Sequence, residues 1–183
     1  MRLRTRFHQR QFIATRGVLR YLLGRRLARH PGSLSFEYNS AGKPRLAGAD
    51  AGLQFNASHA GRRAVYVISD HRRVGIDVES VDRELDFDGI ARRFFSAPEY
   101  TALQGMPAAQ RKRAFLAAWT CKESIVKAIG NGLRLPLNEI ELNIAPERDP
   151  SILRLPGVLG GPWELYPVPA GRDYIATVAV TSA

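Results

Sequence analysis

Residues 119–127 read Trp119-Thr120-Cys121-Lys122-Glu123-Ser124-Ile125-Val126-Lys127, and they set a lysine where a helix should be apolar. If Pro107 to Ile129 form one helix, then Phe115, Ala118, Trp119, Val126 and Ile129 share a face. Lys122 falls in the middle of that face, and Glu123 and Lys127 lie along its flank. Two ordinary readings stand beside a functional one. Glu123 and Lys127 have the order and spacing of an exposed helix ion pair, and Lys122 can lay its methylenes on the core with its head in water. A site for a phosphate ester, by contrast, requires cations held between apolar walls.

A second charged run is Gly75-Ile76-Asp77-Val78-Glu79. Strand periodicity sends Ile76 and Val78 to one side and both acids to the other. Two like charges on one strand face repel, so a positive group is expected beside them. An arginine is the plain candidate. A hard divalent cation is the sharper one, because Mg²⁺ is commonly held by one or two carboxylates together with waters and phosphate oxygens. Glu123 offers a third oxygen ligand.

The chain has 183 residues, with 27 Lys plus Arg against 17 Asp plus Glu, a formal charge of +10. Nine arginines fall between Arg2 and Arg29, and the first acid is Glu37. This asymmetry predicts an acidic partner: a phosphorylated cofactor, an acidic protein, an anionic lipid or a nucleic acid. A nucleic-acid-binding module without catalysis is the alternative function, although no recognition motif or interleaved aromatic platform is visible. The single cysteine, Cys121, excludes an internal disulfide and reads as an inert small residue. No apolar run reaches membrane-spanning length and no signal peptide is visible, so the cytoplasm is expected, with no membrane partner.

Periodicity predicts a first helix through Phe12, Leu19, Leu22, Leu23 and Leu27, ending before Pro31. Strands are expected at Leu34–Tyr38, Leu53–Ala57, Ala64–Ser69 and Gly75–Glu79. Helices at Phe87–Phe95 and Pro98–Gln104 precede the long helix, and strands follow at Glu139–Ile144, Ile152–Leu155, Trp163–Tyr166 and Tyr174–Val180. Helix plus antiparallel strands, repeated, implies an α+β fold of two subdomains, residues 1–74 and 75–183, forming one compact unit. No internal sequence repeat shows this independently.

The runs Gly75-Ile76-Asp77-Val78-Glu79 and Trp119 to Lys127 resemble the signature pair of the 4′-phosphopantetheinyl transferases of the surfactin-synthetase-activating type. Gly42-Lys43-Pro44, Phe55-Asn56-Ala57-Ser58-His59 and Arg93-Phe94-Phe95-Ser96-Ala97-Pro98-Glu99-Tyr100 fit the same pattern in the same order, so the resemblance runs from about Arg16 through Leu142. It implies a pseudo-dimer of two related halves, each a helix packed on a small antiparallel sheet, with the active site at their interface. It also implies transfer of 4′-phosphopantetheine from coenzyme A to a serine of an acyl or peptidyl carrier protein, with Mg²⁺ as cofactor and an acidic carrier as partner. A monomer is expected.

Position by position, the resemblance implies that Asp77, Glu79 and Glu123 bind the metal, Glu79 directly or through water. Lys122 and Lys127 match cations on the coenzyme A pyrophosphate and the pantetheine phosphate. Ser58 and His59 match a phosphate-binding pair, Lys43 a residue near the adenine ribose, and Arg16 a contact to the 3′-phosphate. Glu123 or Glu99 would take the serine proton, with Lys127 assisting the transfer. Glu99 has a competing explanation, because Ser96-Ala97-Pro98-Glu99 has the spacing of a helix capping box. Members usually begin with a further strand and loop; here Arg2, Arg4, Arg6 and Arg10 are candidate substitutes for the cations found there, the open alternatives being a looser hold on coenzyme A, a first sheet that lacks a strand, or a late start.

Overall fold

The computed structural model describes residues 6–130, 135–145 and 149–182. The described chain is a mixture of helices and small antiparallel sheets. Helix α1 (Arg6–Leu27) buries Leu19 and Leu23, spaced one turn apart, in a core shared with Leu46 of a two-stranded hairpin, β1 (Phe36–Tyr38) with β2 (Pro44–Leu46). Leu34, Leu46, Leu53 and Phe55 complete this smaller core. Phe12, expected on the buried stripe, is 43% exposed and lies under the Arg16 guanidinium instead. Strand β2 is an addition to the sequence reading: Gly42, at φ 83°, turns the chain and Pro44 opens a strand. Pro44 pairs with Tyr38 at the end of the hairpin, where a missing amide costs least.

Strands β3 (Gln54–Ala60) and β4 (Arg63–Ser69) form a second hairpin, closed at Gly61 with φ 51°. Strand β5 (Val74–Ser80) pairs with β9 (Tyr174–Thr181), which pairs in turn with β8 (Trp163–Pro167). β5 is therefore an edge strand. On its open side the Ile76 amide donates to Asn56 Oδ1 at 3.0 Å and the Val78 amide to Ser58 Oγ at 3.4 Å. Side chains of β3 thus occupy the place a neighbouring backbone would take.

Helices α2 (Phe87–Phe94) and α3 (Ala97–Gly105) lead into α4 (Ala108–Ile129), which Gly130 ends in the left-handed conformation at φ 82°. Phe115, Leu116, Ala118, Cys121, Ile125 and Val126 of α4 join Phe95, Leu103, Ile140 and Trp163 in the main core. α4 is buried on more than one face because it lies on β5 and β9 while α2 and α3 cover its flank, and α3 in turn meets the short hairpin β6 (Glu141–Asn143) with β7 (Ser151–Arg154). Among the described residues no helix is long and apolar enough to cross a membrane. Cys121 is buried, and burial pushes its thiol up to about 12, which fits an inert residue.

Candidate active site

The placement of the site starts from Gly75. A β-carbon there would stand 2.0 Å from the Ser124 carbonyl oxygen and 2.4 Å from the Ala128 nitrogen, so only glycine lets α4 rest directly on β5. Gly75, Asp77 and Glu79 share the strand face that meets the helix. The close approach brings the last turns of α4 to Asp77. The Lys127 ammonium donates to Asp77 Oδ1 at 2.5 Å and to Ser58 Oγ at 2.9 Å. Ser58 Oγ in turn donates to Asp77 Oδ1 at 2.9 Å.

These side chains line an open cleft of about 910 Å³. Ser58 and His59 come from β3, Asp77 and Glu79 from β5, and Trp119, Glu123 and Lys127 from α4. A smaller recess of about 230 Å³ shares Ala57, Glu123 and Lys127 with it and runs along Gly42, Lys43 and Pro44. The sequence reading thus names a set of residues that the fold does bring together: Ser58, His59, Asp77, Glu79, Glu123 and Lys127 around the cleft, and Lys43 at its extension.

Among the described residues two oxygens in this set have no hydrogen-bond partner: Asp77 Oδ2 and Glu123 Oε1, both buried. Burial first, and then the charge of Asp77, push the Glu123 carboxyl up to about 7. Buried carboxylate oxygens left bare in one cleft are costly unless a cation completes them, and hard oxygen donors suit Mg²⁺. Among the described residues no group of three His, Cys, Asp or Glu side chains forms a ready metal cage. The expected third ligand, Glu79, is engaged elsewhere: both of its oxygens accept from Arg83 Nη1, at 2.6 and 2.7 Å. Two carboxylates remain a sufficient protein contribution for Mg²⁺, which keeps waters and substrate phosphates as its other ligands.

Lys122 does not reach the cleft. It is 0% exposed, and its ammonium donates to Glu99 Oε2 at 2.9 Å, the Leu137 carbonyl at 2.8 Å and the Ile140 carbonyl at 2.5 Å. An ammonium has three donors, so all are spent inside the core. Burial pulls its pKa below the usual lysine value, and Glu99 opposes that shift. Glu99 is equally committed. Its Oε2 accepts from the Ser96 amide at 2.6 Å and its Oε1 from the Leu142 amide at 3.0 Å, while Ser96 Oγ accepts from the Glu99 amide. The capping box is therefore present, and Glu99 is 1% exposed. The Lys122 ammonium and the Glu99 carboxylate are thus held by partners inside the core, and neither residue lines the cleft.

The remaining expected residues are distributed around the rim. Lys43 Nζ donates to the Ala128 carbonyl at 2.6 Å and Asn39 Nδ2 to the Gly130 carbonyl at 2.8 Å, so the β1–β2 turn caps the C-terminus of α4. Burial lowers the Lys43 pKa to about 8. Arg16 lies against the rings of Phe12 and Tyr38, outside the main cleft. Ser58 is 6% exposed, and its hydroxyl serves Asp77, Lys127 and the Val78 amide at once. It acts here as a brace for the charged residues, while exposed His59 takes the outward position. Arg83 and Asn56 were missed. Asn56 sits in a recognised run but needs the β3–β5 seam to show its use; Arg83 follows Glu79 by four residues in a turn, where no periodicity predicts a contact.

A family model described as the 4′-phosphopantetheinyl transferase superfamily matches residues 73–179. The chain is 37% identical over 175 residues to the 4′-phosphopantetheinyl transferase HetI of Nostoc sp., covering 94% of this chain and 71% of that protein. It is 31% identical over 136 residues to the 4′-phosphopantetheinyl transferase Sfp of Bacillus subtilis, covering 74% and 58%. With the gsp transferase of Aneurinibacillus migulanus the identity is 40% over 106 residues, covering 58% and 42%. The chain thus spans 42% to 71% of the lengths of these relatives. Among solved structures, the holo-acyl-carrier-protein synthase of Thermotoga maritima aligns over 58% of this chain and 61% of its own, with a TM-score of 0.46 and 22% identity. On the family match and the extent of its likeness to HetI, the chain belongs to the 4′-phosphopantetheinyl transferase superfamily.

Proposed function

We propose that the chain transfers the 4′-phosphopantetheine group of coenzyme A to a serine hydroxyl of an acidic acyl or peptidyl carrier protein, releasing adenosine 3′,5′-bisphosphate. The observation that carries this reading is the pair of bare, buried oxygens, Asp77 Oδ2 and Glu123 Oε1, in a cleft that also holds Lys127 and His59. That donor set fits one Mg²⁺ shared with a diphosphate. The metal, when bound, would neutralise charge on the pyrophosphate oxygens as the leaving group departs.

The chain's own residues do the positioning. The serine oxygen forms a bond to the phosphorus bearing pantetheine, and the bond from that phosphorus to the bridging oxygen breaks, leaving the electron pair on adenosine bisphosphate. Lys127 is anchored to Asp77 and Ser58, and its charge opposes the negative charge that grows on the diphosphate. Glu123, whose carboxylate faces the same cleft, accepts the serine proton. His59 adds a polar contact to the phosphates. The recess beside Lys43 receives the adenosine end, and Arg16 offers a cation near Tyr38 for the 3′-phosphate. In this reading units 1–74 and 75–183 are the two related halves, supported by a cleft lined from both β3 and α4.

The test is to mix the protein with coenzyme A, Mg²⁺ and several apo carrier proteins and to follow carrier mass. The carrier should gain the phosphopantetheine mass with wild type and not with Asp77→Ala. A basic nucleic-acid module would show no carrier modification, and its binding would not depend on Asp77.

A further inference from the structure

Arg83 stands on the rim of the cleft and was given no role by the sequence. Its amide donates to the Ser80 carbonyl at 3.2 Å, closing a turn that folds the side chain back over β5. Its Nη1 alone takes both Glu79 oxygens, at 2.6 and 2.7 Å. The Glu79 side chain is 10% exposed and that of Arg83 54%. The acid is therefore inside the wall of the cleft, while the guanidinium covers it from the solvent side. Glu79 also lies two residues from Asp77 on the same strand face, in a site where Asp77 and Glu123 already keep bare oxygens.

We propose that Arg83 is a positioning residue that withholds Glu79 from the metal, so that the cation is held by Asp77 and Glu123 and keeps its other positions open for the diphosphate; this rests on the transferase reading above. The physical argument concerns the number of anionic ligands. Three carboxylates converging on one divalent ion form a high-charge cage that binds metal without substrate. Two carboxylates leave Mg²⁺ incompletely neutralised, so phosphate oxygens complete the shell and metal and coenzyme A bind together. The orientation of a carboxylate near a metal is set by the groups hydrogen-bonded to it: losing a partner that aims a ligand at the ion costs about 10- to 100-fold in affinity, and losing one that aims it away acts in the opposite sense. Removing the guanidinium leaves Glu79 as a nearly buried carboxylate without a partner, close to Asp77, and a bound cation is then its available counter-charge.

The experiment is a Mn²⁺ titration of the metal-free protein, read by the loss of free-ion electron paramagnetic resonance signal, with and without coenzyme A. Wild type should bind Mn²⁺ weakly alone and markedly better with coenzyme A. Glu79→Gln should bind as wild type does, while Asp77→Asn should lose binding. Arg83→Ala should bind Mn²⁺ about tenfold more tightly without coenzyme A and show less gain from adding it. The double variant Arg83→Ala with Glu79→Gln should return to wild-type behaviour. Arg83→Lys, which keeps the charge, should fall between wild type and Arg83→Ala, and thermal melting of each variant excludes loss of folding as the cause.

The proposal is overturned if Glu79→Gln weakens binding as much as Asp77→Asn does, or if Arg83→Ala binds no more tightly than wild type. Wild type that binds no Mn²⁺ even with coenzyme A would instead remove the metal from the transferase reading, and this role of Arg83 with it.

Discussion

Gly75 faces Ser124 so closely that a single added carbon would stand 2.0 Å from the Ser124 carbonyl oxygen. The obstacle is helix backbone, which has no rotamer with which to give way. Gly75→Ala should therefore push α4 off β5 and destabilise the fold by about 3 kcal/mol, the upper end of ordinary overpacking. Urea denaturation measures the loss. Carrier modification per folded molecule should fall as well, because the same displacement separates Lys127 from Asp77.

Lys122 and Glu99 form an ion pair with both side chains 0% exposed. Removing one partner of such a pair strands the other, at a cost of about 3–5 kcal/mol. Lys122→Met should show that loss in denaturant titration, while the folded fraction keeps the KM of wild type for coenzyme A. A raised KM with unchanged stability would return Lys122 to the phosphate site.

Glu123 combines a bare buried oxygen with a carboxyl that resists ionisation. Glu123→Gln should stabilise the metal-free protein by about 1–3 kcal/mol in mildly alkaline buffer, because it removes a desolvated charge that Lys127 offsets only in part. The same variant should lose carrier modification. Differential scanning fluorimetry alongside the mass assay reads both effects.

Lys43 carries the pH dependence that is simplest to isolate. Its pKa is lowered from 10.5 to about 8 by burial, so above pH 8 the folded chain sheds a proton that the unfolded chain still holds. Stability rises with pH wherever the unfolded state binds more protons. The Lys43 penalty is thus fully present below about 8 and is relieved as pH climbs towards 10.5. Stability compared between wild type and Lys43→Met across this window should show the wild type gaining on the variant.

The net charge of +10 predicts that modification of an acidic carrier slows as ionic strength rises. An unchanged kcat/KM between low and high salt would argue against charge steering.

The sequence made the long helix, the Gly75–Glu79 strand and their charged residues readable, because each is carried by strong periodicity with a terminator, as at Gly130. It also exposed the conflict at Glu99, since a capping box and a catalytic acid place the same residue type at the same position. Side-chain spacing alone left that conflict open; the structure shows the capping box and adds the Lys122 ammonium and the Leu142 amide, from distant segments, as further partners of Glu99. The burial of Lys122 was legible, but its partners were not, because two of them are carbonyls of the turn at Leu137–Ile140. Strand β2 was hidden by its proline, which reads as a loop until the pairing with Tyr38 is known. Arg83 was hidden because its turn has no repeat from which to infer direction.

The open side of β5 is met by Asn56 and Ser58 side chains rather than by a paired strand. Hydrogen exchange at the Ile76 and Val78 amides therefore gauges the docking of the β3–β4 hairpin, separately from unfolding of the three-stranded sheet. Such a seam lets the crevice beside it widen by exchanging two side-chain contacts, with every ladder on either side intact.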